Sequence, residues 1–165
     1  MDTRRFLKEG FIAGIVLYVT VAVFFAAVNA FMGRSPFYTA HLLGQPLLGA
    51  APDPLAPSPV APAVMAFNGL HLVASLLLGV AAAALVGAME WMRNAWYVFF
   101  FIFVAGSIMT ILGLGILTAE VTHLLPWHSV ATAHLAGAAT TTAYLWWAHA
   151  TPEVESGETA GGKGD

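Results

Sequence analysis

Four stretches of the chain, about 11–32, 64–89, 95–119 and 130–149, contain no Asp, Glu, Lys or Arg. They show neither the two-residue alternation of a half-buried strand nor the polar face of a water-exposed helix. Crossing a bilayer as a helix takes roughly 20 apolar residues, and each stretch is long enough to do so. The pattern predicts an all-α integral membrane protein, a four-transmembrane-helix up-down bundle over residues 1–151. Residues 152–165, rich in Gly and Glu, have nothing to bury and read as a disordered cytoplasmic tail.

The segment between the first two spans, 33–63, holds seven of the nine prolines, at Pro36, Pro46, Pro52, Pro54, Pro57, Pro59 and Pro62. Its second half is therefore expected to be extended and not a fifth helix. Its first half sets Leu42, Leu43, Leu47 and Leu48 beside His41, which suits a short amphipathic segment lying in the membrane interface until Pro46 interrupts it.

Composition supports the membrane reading, with 59% hydrophobic residues, 9% charged and a mean hydropathy of +0.78. The formal charge of −3 arises from an acidic tail and leaves no basic surface for nucleic acid. Arg4, Arg5 and Lys8 precede the first span and Arg93 follows the second, against Arg34 alone in the first opposite loop. Both termini are expected on the cytoplasmic side of a bacterial inner membrane, with the Pro-rich loop outside. The first apolar run exceeds the roughly 7–15 residues of a signal-peptide core and reads as a retained helix. Cysteine is absent, which excludes disulfides, thiolate nucleophiles, iron–sulfur clusters and covalently attached haem.

Five of the six histidines, His41, His71, His123, His128 and His134, fall on the outer side of this topology, and His149 falls on the inner. Counting about 1.5 Å per residue from span centres near Leu76 and Thr140, His71 and His134 lie roughly 8 and 9 Å above the midplane. The second and fourth spans are diagonal partners in an up-down bundle, so two neutral imidazoles can face one another there as axial ligands of a haem b. Ala26 and Ala27 of the first span and Gly113 and Gly115 of the third fall near that level and would leave room for a porphyrin. Asn68, three residues before His71, is a candidate hydrogen-bond partner for its imidazole. Ser107, Thr110, Thr140, Thr141 and Thr142 are expected to bond their own helix carbonyls or a neighbouring helix.

A second constellation, His41, Glu120, His123 and His128, contains an E-x-x-H pair and suits a copper or zinc ion at the outer face. A di-iron carboxylate site would need a second such pair and two more carboxylates, which are missing. Three readings follow. In the first, a bis-histidine haem b protein transfers electrons between quinol and an extracytoplasmic redox protein. In the second, an accessory or assembly subunit, homo-oligomeric or part of a larger complex and without a cofactor, packs Phe99, Phe100, Phe101 and Phe103 on a neighbour or on lipid. The third is an outer-face copper or zinc protein. None of them names a catalytic residue, and the sequence leaves enzymatic activity open while favouring a chain that is not an enzyme on its own.

Overall fold

The computed structural model describes residues 3–55, 59–88, 96–117 and 127–150, and among these every regular element is helical. The helices are α1 (Thr3–Phe31), α2 (Tyr38–Gly44), α3 (Ala61–Ala88), α4 (Trp96–Leu117) and α5 (Trp127–Ala150), with a 3-10 turn at Pro46–Leu48. Among the described residues, three segments are long and apolar enough to cross a membrane: Phe6–Phe31, Ala61–Gly87 and Trp96–Gly113. α5 is also long, at 24 residues, but Ser129, Thr132, His134 and the run Thr140–Thr142 make it more polar.

Local chemistry sets the helix ends. α1 closes in a Schellman-type turn: Arg34 N–H donates to Asn29 O at 2.9 Å and Gly33 N–H to Ala30 O at 3.0 Å. Gly33 takes φ +69°, a left-handed conformation that only glycine enters without strain. α2 stops at Gly44, just ahead of Pro46, while α3 starts with Pro62 in its first turn, where a missing N–H costs nothing.

α1 is the central packing element, with α3 on one side and α5 on the other. α4 closes the group against α5 and, more loosely, α3; α3 and α5 face each other diagonally and scarcely touch. The α1–α3 contact runs in opposite senses, since Gly10 meets Val80 whereas Gly14 meets Leu76. It is close because both helices are bare there: a Cβ on Gly79 would collide with the backbone of Gly14 and Gly10. Gly137 of α5 also faces α1, but there the space of its absent Cβ is taken by the side chains of Leu17 and Val21. Side chains such as Val23, Val73, Leu77, Phe100 and Ile111 point outward, as helices in contact with lipid require.

α2 folds back onto α3 and buries His41, Leu42 and Leu43, so its leucines meet protein on that side. Gly44 sets its backbone against Ala63, an approach that a side chain would prevent. Asn29, itself buried, ties α1 to this cap by donating to Thr39 Oγ1 at 3.0 Å and Pro36 O at 3.2 Å. Of the phenylalanines in α4, Phe99, Phe101 and Phe103 pack against the core and only Phe100 is exposed. Residues 151–165, which hold the expected tail, lie outside the described residues.

Candidate functional site: a cavity between the helices

The diagonal separation of α3 from α5 leaves a cavity of about 490 Å³, walled by α1, α3, α4 and α5 and roofed by Pro36, Phe37 and the inner face of α2. That volume falls in the range of small-molecule sites, roughly 300–1,000 Å³. Most of the wall is apolar, with Leu17, Val21, Phe25, Leu43, Phe67, Leu78, Ile102 and Met109 contributing. No Asp, Glu, Lys or Arg lines it among the described residues.

His71 and His134 both line this cavity, as do Asn68, Ala26 and Gly113. Gly115 lies near the end of α4, and its surroundings are outside the described residues. The His71 ring is held by aromatic neighbours, with Phe67 stacked at 5.8 Å between centroids and Tyr18 tilted at 5.2 Å. Asn68 does not serve His71 as expected. Its Nδ2 donates to Val64 O at 2.9 Å and its Oδ1 accepts from the Tyr18 hydroxyl at 3.1 Å. No protein hydrogen bond reaches the His71 imidazole among the described residues, so its ring nitrogens are available to the cavity.

His134 is held differently. Thr110 Oγ1 lies 2.9 Å from its Nε2 and Ser107 Oγ 3.4 Å from its Nδ1, both from α4. The two hydroxyls therefore bond across to α5, the neighbouring-helix alternative of the two expected for them. Thr110 also lines the cavity, so the Thr110–His134 pair and His71 share it. Thr140 bonds Ala136 O and Gly137 O, with Thr20 Oγ1 at 3.0 Å; the hydroxyls of Thr141 and Thr142 are buried with no partner among the described residues. Glu9 is a buried carboxylate on α1 that the apolar pattern did not reveal, because the helix starts well before the uncharged stretch.

Of the expected metal ligands, Glu120 and His123 lie outside the described residues. His128 is exposed in the first turn of α5, and His41 is buried in α2 with its Nδ1 accepting the Val60 N–H at 3.0 Å. No group of three or more potential ligands occurs among the described residues.

A bis-histidine haem asks each imidazole to offer one nitrogen to iron while the other donates a hydrogen bond. His71 meets the first demand. His134 meets it only by exchanging Thr110 for the metal, and the porphyrin's two carboxylates would find no cationic side chain on the described walls. In comparisons with known proteins, no family model, no curated protein and no solved structure matches this chain.

Proposed function

We propose that this chain is an integral protein of a bacterial inner membrane, with four crossings and both termini on the cytoplasmic face. In this reading it binds one lipid-soluble molecule in the cavity between its helices. The observation that carries it is the meeting of His71 and the Thr110–His134 pair in one mostly apolar cavity without charged side chains among its described lining residues. Polar groups placed in a nonpolar wall are costly unless something pairs with them, and a ligand's polar head between them would do so. Its apolar body would fill the space among Leu17, Phe25, Phe67 and Ile102.

The experiment is mass spectrometry of the protein purified gently in lipid nanodiscs. A single bound small molecule is expected in the wild type and none in Gly113→Leu. A Cβ at Gly113 meets nothing within 4 Å, so the longer side chain enters the cavity without disturbing the helix. Equal retention by both proteins would rule the cavity out as the site.

Haem b in an electron-transfer role is the second reading, favoured by the unpartnered His71 imidazole. It predicts reduced-minus-oxidised absorption bands in the wild type that vanish in His71→Ala and in His134→Ala. A colourless wild-type protein would eliminate it.

A further inference from the structure

We propose that the bound molecule is a quinone or its quinol, entering from the lipid between α3 and α4; this rests on the ligand-binding reading above. The cavity offers hydrogen-bonding stations on different walls, the His71 imidazole from α3 and the Thr110 hydroxyl backed by His134. A ring with oxygens on opposite edges can reach both, whereas a chain with one polar end can satisfy only one.

Both stations can also reverse their polarity. A neutral imidazole is a donor at one nitrogen and an acceptor at the other. Thr110 either donates to His134 Nε2 and keeps lone pairs for the cavity, or accepts from Nε2–H and turns its own proton toward the cavity. The same pocket therefore suits a carbonyl, which only accepts, and the phenolic hydroxyl it becomes on reduction, which also donates. The uncharged wall disfavours fatty acids, phospholipid headgroups and porphyrin carboxylates, each of which carries a formal charge that needs a counter-ion in a low-dielectric site.

The route follows from exposure. Leu70 of α3 and Met109 of α4 both line the cavity and are 49% and 43% exposed, and these two helices are the loosest of the neighbouring pairs, which together point to an opening between them. Both side chains are apolar, as a path open to lipid requires. An isoprenoid tail can leave by this opening while the ring stays inside.

The test is a binding titration of the delipidated full chain in nanodiscs with a ubiquinone carrying two isoprene units. Infrared difference spectra of the quinone carbonyls are the second readout, and farnesol serves as a ringless control. One saturable site is expected, with both carbonyl bands shifted by hydrogen bonding and farnesol binding at least tenfold more weakly. His71→Phe and Thr110→Val should each weaken quinone about tenfold and restore one carbonyl band, while Thr110→Ser, which keeps the hydroxyl, should bind like the wild type. If farnesol binds as tightly as the quinone, or both variants leave affinity and bands unchanged, the quinone assignment falls and the ligand-binding reading stands. If neither probe binds saturably, both fall.

Discussion

The Nδ1 of His41 accepts the backbone N–H of Val60 at 3.0 Å, tying the middle of α2 to the residue that precedes α3. Accepting at Nδ1 places the ring proton on Nε2, and that N–H is buried without a partner among the described residues. The ring thus gains one hydrogen bond and leaves one donor stranded. His41→Ala should destabilise the protein by about 2–3 kcal/mol, mainly through the cavity left at a fully buried position. His41→Leu should cost less, because it fills much of that space and removes the stranded donor. Thermal unfolding in detergent measures both, and an equal loss in the two variants would refute this account of the ring.

Packing of α1 on α3 depends on Gly79 far more than the cavity wall depends on Gly113. Gly79→Ala drives a methyl group into the backbone of α1 and should cost about 3 kcal/mol, the upper end of overpacking. Gly113→Ala meets open space and should be neutral or stabilise by up to about 1 kcal/mol through helix propensity. Unfolding curves for the two variants should differ accordingly.

His134 is held chiefly by Thr110. Removing that hydroxyl in Thr110→Val should cost about 1–2 kcal/mol, whereas Ser107→Ala, which loses a bond of 3.4 Å, should stay within about 0.5 kcal/mol. The ring nitrogen chemical shifts of His134 should move with the first substitution and hardly with the second.

Whether α5 crosses the membrane decides where the C-terminus lies. The chain has no cysteine, so single cysteines report without a background. Leu55→Cys, at an 88% exposed position, should react with an impermeant maleimide in intact spheroplasts. Gly162→Cys should react only after permeabilisation if there are four crossings, and before it if there are three.

The long helices were legible because an uncharged apolar run has few other ways to satisfy its backbone in lipid. Their starts were less so. α1 begins at Thr3, upstream of Lys8 and Glu9, since backbone hydrogen bonding does not end where hydropathy falls. A count of residues along two helices was enough to place His71 and His134 at one cavity. For Thr110 the pattern left two partners open, its own helix carbonyls or a neighbouring helix, and only the rotation of α4 against α5 chooses the second. Asn68 shows the same limit: its spacing from His71 is right for an i, i+3 pair, yet Tyr18 from a different helix takes the amide. For α2, the pattern could not say whether its leucines would meet lipid or protein, a choice made by the bare backbone of Gly44 against Ala63.

The opening proposed beside Leu70 and Met109 would change what affinity means for this protein. A molecule arriving through it would never have to cross water, so its occupancy would follow its mole fraction in the surrounding leaflet and not its aqueous solubility. A modest intrinsic preference would then suffice for saturation, since partitioning has already concentrated an isoprenoid compound many-fold in the two-dimensional phase the protein samples.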